Sequence, residues 1–283
     1  MKLILNTLIL LLFAQASYTQ INTRKLAEDV IARMATVKSL KYRMYKRERL
    51  KGKMRESEIE VKYQKSPFKV YIYIYKPDAG AEVLYVDGVN DKKAFVNPNK
   101  KILSLLDLDF DPYGKTLRKD EHHTLFESGF DYMRRILKNV MKVADDEGKF
   151  DEYCLYKGEV NFEGRACHKL LLTYPHFKWI DYTVKSGEDL IKIGHDKCLS
   201  DYMIMEKNGL SNYTSVKAGQ KIKIPNIYAK EVILYIDKIT FLPIYQEVHD
   251  DQGLYEEFHY KNLILNPDIP EAEFTKTYKD YKF

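Results

Sequence analysis

Residues Tyr182 to Pro225 read YTVKSGEDLIKIGHDKCLSDYMIMEKNGLSNYTSVKAGQKIKIP, and they interrupt a chain whose flanking segments alternate in the manner of β-strands. Gly187 follows a strand-like opening, and Leu190 and Ile193 begin an apolar stripe at helical spacing. The pattern predicts a strand, two short helices and a second strand, which form a unit of their own inside a larger β-rich domain.

This stretch resembles a lysin motif, LysM, over its whole length and without a gap. The resemblance rests on the opening YTVKSG, on Leu190 and Ile193, on Asn208 at the close of the second helix, and on the ending AGQKIKIP. It implies a βααβ fold with both helices on one side of a two-stranded sheet. It also implies binding to polymers of N-acetylglucosamine, such as peptidoglycan or chitin. One copy implies weak attachment unless other contacts add to it.

The LysM resemblance further implies a glycan groove between the loop after the first strand and the loop after the second helix. Exposed backbone N–H and C=O groups in such Gly-containing loops suit an acetamido sugar. The implied groove residues are Gly187, Glu188, Asp189, Leu190, Asn208, Gly209, Leu210 and Ser211. The alternative is that the two glycines only make turns and Asn208 only caps a helix.

Three positions depart from the usual LysM pattern. Glu188-Asp189 stands where Asp-Thr is usual, Gly194 replaces an Ala, and Cys198 stands where a helix-ending Gly is common. The first change adds a carboxylate to the groove, and Gly194 costs about 1 kcal/mol in helix propensity. A disulfide at Cys198, or docking of the insert on its host domain, would offset these weaknesses. A degenerate LysM that acts as a structural or protein-binding element is therefore an alternative.

Outside the insert the chain predicts antiparallel strands and two helices. Helical periodicity covers residues 23–34, with Asn22 or Thr23 as N-cap, and residues 121–143. Alternation of apolar and polar residues predicts strands at 40–47, 58–63, 70–75, 83–86, 93–96, 102–108, 153–162, 166–174, 232–237, 243–249 and 255–260.

The host domain resembles the LolA-like carriers of the bacterial envelope. The resemblance rests on Asp237 closing one strand, Pro243 near the start of the next, a hairpin at Gly253, and Phe274 after a Pro-containing turn. It implies an α+β fold, an open curved antiparallel sheet or half-barrel, with helices on its concave face and a cavity for a lipid or a lipoprotein acyl chain. The alternative is a packed interior in which Ile72, Ile74, Phe130 and Leu137 meet.

The N-terminus has the pattern of a secretory signal. Residues 1–16 contain Lys2, a short apolar segment and Ala14-Gln15-Ala16, so we expect cleavage before Ser17, export to the periplasm or cell envelope, and no transmembrane segment in the mature chain. The expected domains are residues 17–181 with 227–283 for the host and 182–226 for LysM. Basic residues are interspersed with 41 acidic ones for a net charge of only +5, so no nucleic-acid partner is expected.

The three cysteines are Cys154, Cys167 and Cys198. If Glu163-Gly164 turns a hairpin, Cys167 faces Val160 and Cys154 faces Thr173, which puts Cys154 and Cys167 too far apart to bond. A disulfide between Cys154 and Cys198, or three unpaired thiols, are the two possibilities left open.

The sequence carries no catalytic or cofactor motif. His123 and Glu127, next to His122, would share one face of the predicted helix at a spacing of four residues, but two ligands do not make a metal site. We therefore expect a binding protein that is not an enzyme and needs no cofactor or metal. The alternatives are a scaffold with a packed barrel and a degenerate LysM, and a peptidoglycan-remodelling hydrolase with unrecognised catalytic groups.

Overall fold

A computed structural model describes residues 21–99, 108–119 and 121–283. The predicted leader and most of the predicted strand at 102–108 lie outside these residues. Among the described residues, eleven strands form one antiparallel sheet, in the spatial order β6-β5-β4-β3-β2-β1-β13-β12-β11-β8-β7. Those strands are β1 Ser39–Leu50, β2 Lys53–Gln64, β3 Lys69–Lys76, β4 Ala81–Val86, β5 Ala94–Asn97, β6 Leu108–Phe110, β7 Cys154–Phe162, β8 Arg165–Thr173, β11 Glu231–Asp237, β12 Pro243–Asp250 and β13 Gly253–Leu265.

The sheet curves around an internal cavity. Ile72 of β3 and Leu172 of β8 line the same cavity of about 550 Å³. In a flat sheet, with strands about 4.8 Å apart, the six spacings between these strands would separate them by about 29 Å. Both strands reach one cavity because the sheet bends, so the predicted open, curved antiparallel sheet is confirmed.

Two helices pack on the inner face of the sheet. Helix α1 spans Thr23–Ala35, and the side chain of its N-cap Asn22 accepts a hydrogen bond from the backbone N–H of Lys25, as predicted. Helix α2 spans Asp131–Asp146, and its inner stripe lines the cavity. A short helix, α3, spans Phe150–Tyr153 and leads into β7.

The prediction that the second helix begins at Glu121 was wrong. Residues 121–130 instead form an irregular segment with one 3₁₀ turn, closed by a capping box between Thr124 and Glu127. Gly129 passes so close to the sheet that an added Cβ would lie 2.6 Å from the ring of Tyr63. Phe126 packs against the ring of Phe68, at a centroid distance of 5.3 Å, instead of joining the stripe of α2. Contacts with the sheet therefore override the helical periodicity of this segment.

The insert has the predicted βααβ order. Strands β9 Trp179–Thr183 and β10 Lys221–Pro225 form a separate two-stranded antiparallel sheet, with α4 Leu190–Lys197 and α5 Asp201–Lys207 between them in the chain. An added Cβ at Gly194 would lie 2.9 Å from the backbone oxygen of Leu199, so α4 needs glycine here. This close approach explains the departure at Gly194.

All three cysteines are free thiols, and the bridge between Cys154 and Cys198 is not formed. Cys154 lies at the start of β7, and burial raises the pKa of its thiol to about 12. The charges of Arg24 and Asp145 also act on this thiol, so Cys154 lies near the C-terminal end of α2. Cys198 lies near the other end of α2, because the carbonyl of the next residue, Leu199, accepts a hydrogen bond from the hydroxyl of Tyr132. Asp145 and Tyr132 lie at opposite ends of α2, about 20 Å apart for a helix of this length. A disulfide needs Cα atoms within about 7 Å, so Cys154 and Cys198 are too far apart to form one.

Candidate functional site

The cavity lies between α2 and the curved sheet and is largely apolar. Ile72, Ile74 and Leu137 line it, so these side chains do not fill the interior by meeting one another. Phe130 does not belong to this lining and packs on the ring of Tyr260 at a centroid distance of 5.5 Å. The apolar lining also includes Met44, Ile59, Val83, Leu117, Met133, Ile136, Val140, Leu172, Val232, Leu234, Val248 and Phe258. Of the two alternatives, a cavity and a packed interior, the structure has the cavity.

One part of the cavity wall is charged. Lys46 and Glu48, on the inner face of β1, and Glu121 face the cavity beside one another. The ammonium of Lys46 donates to Glu48 at 2.9 Å and also contacts the carboxylate of Glu121. Burial alone would lower the pKa of Lys46, but the charges of Glu121 and Glu48 outweigh it and raise the pKa above its usual value. Lys46 is therefore a fixed cation in this wall.

A second group of polar residues adjoins this charged wall, and two of its members, His123 and Tyr228, also line the cavity. The Nδ1 of His122 is 3.0 Å from the Oε2 of Glu256, and the Nε2 of His123 is 3.2 Å from the same oxygen. The hydroxyl of Tyr228 donates to the other oxygen of Glu256 at 2.7 Å. Burial would raise the pKa of Glu256, but the charge of His123 and hydrogen bonds from both imidazoles bring it far below its ordinary value. Burial would lower the pKa of His123, but Glu256 and Glu127 raise it well above its ordinary value.

Sequence reasoning found only part of this cluster. His122, His123 and Glu127 were noted, and the Nδ1 of His123 is indeed 2.7 Å from Glu127, although in a capping turn and not on a helix. Glu48 and Glu256 were missed. A signal for Glu48 existed, because it continues the alternating buried face that Met44 begins, and a charged residue on such a face needs a partner.

The two implied groove loops of the LysM module lie next to each other. The backbone N–H of Leu190 donates to the carbonyl of Tyr213 at 2.9 Å, which joins the loop after β9 to the segment after α5. Gly187 and Gly209 are exposed, have φ values of 76° and 60°, and leave open space where a Cβ would be. Ser211 is exposed, Leu210 is half-buried, and Leu190 itself is fully buried in the module core.

Three groove candidates have hydrogen bonds inside the module. The side-chain amide of Asn208 donates to the carbonyls of Ile204 and Lys223 at 2.8 and 2.7 Å, and its oxygen accepts from the Lys223 N–H at 2.8 Å. Asp189 caps α4 by accepting from Lys192. The carboxylate of Glu188 accepts from the N–H of Lys185 and the hydroxyl of Tyr182, each at 2.8 Å. The Lys185 N–H, followed by the Tyr182 hydroxyl, lowers the pKa of Glu188.

The LysM module is docked on the host through the turn between α4 and α5. Arg118 of the host, whose side chain is only 1% exposed, makes two parallel hydrogen bonds of 2.8 Å to Asp201. Its guanidinium lies 3.8 Å above the ring of Tyr213. Ser200 and Tyr255 share a buried hydrogen bond of 2.8 Å. The module and the host thus share a polar and largely buried interface.

Fold and site together define an α+β protein with an open antiparallel sheet, a cavity under its helices and a LysM module inserted before the last three strands. The family model described as "Protein of unknown function (DUF1571)" matches residues 37–184, more than half of the chain, and the chain belongs to that family. The LysM domain model matches residues 182–225, which confirms the predicted insert. Comparison with curated proteins finds no significant match.

Solved structures with a similar layout come from several bacteria. LprF from Mycobacterium bovis is 13% identical with a TM-score of 0.43, over 88% of this chain and 95% of that chain. A LolA superfamily protein from Nitrosomonas europaea is 11% identical with a TM-score of 0.34, over 92% of this chain and 100% of that one. A putative outer membrane lipoprotein-sorting protein domain from Vibrio parahaemolyticus is 10% identical with a TM-score of 0.34, over 90% and 98%. Within the described residues, no helix is both long and apolar enough to cross a bilayer.

Proposed function

We propose that this protein is a non-catalytic binding protein of the cell envelope, with a host domain at 17–181 and 227–283 that holds a lipid or lipoprotein acyl chain. The cavity carries this proposal. Its volume of about 550 Å³ falls in the range of about 300–1,000 Å³ typical of ligand pockets. Each methylene group buried there would contribute about 0.8 kcal/mol.

The distribution of polarity favours an amphipathic ligand. Side chains of α2 and of both halves of the sheet supply the apolar lining, while Lys46, Glu48 and Glu121 supply one charged area. An acyl chain would contact the apolar wall, and a polar group at its end would contact the charged residues. A ligand without an apolar chain would leave most of the lining exposed to water.

The test compares two Ile→Trp substitutions. Ile72→Trp places an indole in the cavity, whereas Ile239→Trp adds the same group at a site that is 87% exposed. After expression with the leader in a bacterial host, extraction and mass spectrometry should find lipid with the wild type and Ile239→Trp. Ile72→Trp should carry several-fold less lipid because its ring occupies the space. Absence of lipid from the wild type, together with failure to bind an added fluorescent fatty acid, would contradict the proposal.

We propose that the LysM module, residues 182–226, binds N-acetylglucosamine-containing glycan such as peptidoglycan and holds the host domain near the wall. The exposed backbone at Gly187 and Gly209, beside Ser211 and Leu210, supports this site. Glu188 is held by Tyr182 and Lys185, so its carboxylate already has partners. Asn208 holds the frame of the groove, and its replacement by Ala would test stability together with binding.

A cleaner test adds a side chain to the groove. Asn is among the residues that adopt positive φ most readily, and Gly209→Asn would place an amide in the open space beside the loop. Gly219→Asn is the matched control, because Gly219 also has a positive φ of 83° and open space but lies outside both loops. In pull-down on purified peptidoglycan, Gly209→Asn should be retained less than the wild type and Gly219→Asn equally. Equal retention of both variants would argue against this groove.

A second candidate function is that of a scaffold in which LysM is structural. The buried pair between Arg118 and Asp201 favours it, because a module that only tethers the protein needs no such interface. A wild-type protein that does not sediment with peptidoglycan, yet is folded, would support this scaffold role. Release of soluble muropeptides would instead indicate a hydrolase.

A further inference from the structure

The buried polar cluster at the charged part of the cavity wall contains three potential metal ligands from three separate segments. We propose that Glu48, His122 and Glu256 bind one divalent transition-metal ion of the Zn²⁺ type. One ligand atom from each residue lies within 4.8 Å of the other two, and all three residues are buried. The Nδ1 of His122 is 3.0 Å from Glu256 and 3.9 Å from Glu48. A small widening of the first distance and a small shortening of the second would bring all three atoms to one ion at bonding distances of about 2.0–2.2 Å.

The hydrogen bonds of His122 fix which nitrogen is free for a metal. Its Nε2 is 3.0 Å from the backbone carbonyl of Arg49, and a carbonyl can only accept, so Nε2 carries the hydrogen. In the neutral ring, Nδ1 therefore presents a lone pair to the carboxylate of Glu256. Two acceptors that face each other at this distance require a cation between them, either a proton or a metal ion.

His123 adds to the same need for positive charge. Its Nδ1 faces Glu127 at 2.7 Å and its Nε2 faces Glu256 at 3.2 Å. The oxygen of Glu256 that His123 approaches is the one that also faces His122. One carboxylate oxygen thus receives two ring nitrogens. With a metal between Glu256 and His122, the ring of His122 would stay neutral, and His123 would remain the neighbouring donor to Glu256.

The outer groups of the cluster resemble those that orient metal ligands in proteins. Lys46 donates to the Oε2 of Glu48, while Oε1 accepts from the backbone N–H of His122 at 3.3 Å and lies 3.9 Å from the Nδ1 of the same residue. Tyr228 donates to the Oε1 of Glu256, which leaves Oε2 facing His122. With the bond from His122 to the Arg49 carbonyl, each of the three ligands has its remaining polar atom fixed by a partner. Such outer partners set ring orientation and ligand geometry in known metal sites.

Charge and access both suit a divalent ion. Glu48, Glu121 and Glu256 supply three carboxylates, and the ammonium of Lys46 is shared between Glu48 and Glu121, so the cluster keeps negative charge that a divalent cation would neutralise. One nitrogen and two oxygens form a ligand set typical of Zn²⁺ and its neighbours. Glu48 lines the cavity, so an ion can reach the cluster from that side.

The experiment measures Zn²⁺ binding to the tag-free full chain after removal of metal with a chelator. Titration followed by gel filtration and elemental analysis should give one Zn²⁺ per wild-type chain. Glu48→Gln and Glu256→Gln keep the side-chain shape and should weaken binding by more than tenfold. Tyr228→Phe removes only an outer donor and should weaken it by about 10- to 100-fold. His176→Ala, which removes an exposed imidazole far from the cluster, should bind as the wild type does.

Several results would overturn the metal site. A wild-type chain that retains no Zn²⁺, a loss of binding in His176→Ala, or full affinity in both Gln variants would each do so. If circular dichroism shows that a Gln variant does not fold, the visible absorption of Co²⁺ added to the wild-type protein tests the metal site. Visible absorption typical of low-symmetry protein coordination supports the site, and the spectrum of hexaaqua Co²⁺ contradicts it.

Discussion

At the scale of single residues, Gly194 shows how packing reverses a helix propensity. Replacing glycine by alanine inside a helix normally adds about 1 kcal/mol of stability. Here a Cβ would lie 2.9 Å from the Leu199 carbonyl oxygen and 3.0 Å from the Cβ of Asp201, so the backbone would have to move. We expect Gly194→Ala to lower the free energy of unfolding by about 1–3 kcal/mol.

Denaturant unfolding of Gly194→Ala would measure this loss. Lys138→Ala is the control, because Lys138 is exposed on α2 and its truncation should change the free energy of unfolding by less than about 0.5 kcal/mol. A more stable Gly194→Ala protein would show that α4 and the following turn can separate at low cost. Gly194 would then destabilise α4 through its low helix propensity, without a packing role.

Asn208 illustrates what a motif can and cannot give at this scale. The LysM pattern identified the position, and the side chain there makes hydrogen bonds to Ile204 and Lys223. Its spacing from Lys223 in the sequence gives no sign of these bonds, because they depend on how β10 returns beside α5. The role of a polar residue in a compact module becomes visible only when the chain is folded.

At the scale of elements, strands were predicted better than helix ends. Burial alternates along β1 from Leu40 to Glu48, and a period of two residues is hard to mistake. The hairpin at Glu163-Gly164 was also correct, with Val160 opposite Cys167. However, Cys154 faces Leu172 and not Thr173, because a register shift between Tyr156 and Glu159 moves the strand. A bulge of this kind leaves the apolar pattern on either side intact and so has a weak sequence signal.

The start of α2 was mispredicted because tertiary contacts override a strong local pattern. The apolar residues from Phe126 onward do fit a helical stripe, and those from Met133 onward belong to α2. Phe126 and Phe130 instead pack on the rings of Phe68 and Tyr260. The irregular segment that results brings His122 and His123 to Glu256 of β13. A regular helix beginning at Glu121 would have pointed these consecutive imidazoles about 100° apart around the helix axis. The buried cluster therefore depends on a long-range arrangement that local periodicity does not contain.

At the scale of the whole molecule, the LysM module is part of one packed structure. Arg118 joins Asp201 by a bidentate pair and covers Tyr213, whose carbonyl holds Leu190 at the groove. Arg118 is buried, and removal of one partner of a fully buried ion pair typically costs about 3–5 kcal/mol. Arg118→Gln should therefore loosen the module, and because Tyr213 contacts both Arg118 and the groove loop, it should also weaken retention on peptidoglycan.

Arg24→Gln is the matched control for this prediction. Arg24 also makes a two-bond contact, with Asp145, but both side chains are largely exposed, so screening by solvent leaves the pair little effect on stability. Hydrogen exchange of α4 and α5 should rise in Arg118→Gln and stay unchanged in Arg24→Gln, while exchange in β1 and β13 should be the same in both. If the two variants behave alike, the interface does not hold the module, and LysM behaves as an independent domain. A rise in hydrogen exchange of α4 and α5 in Arg118→Gln alone would mean that the LysM module is stabilised by the host domain. The glycan groove and the cavity would then belong to one cooperatively folded unit.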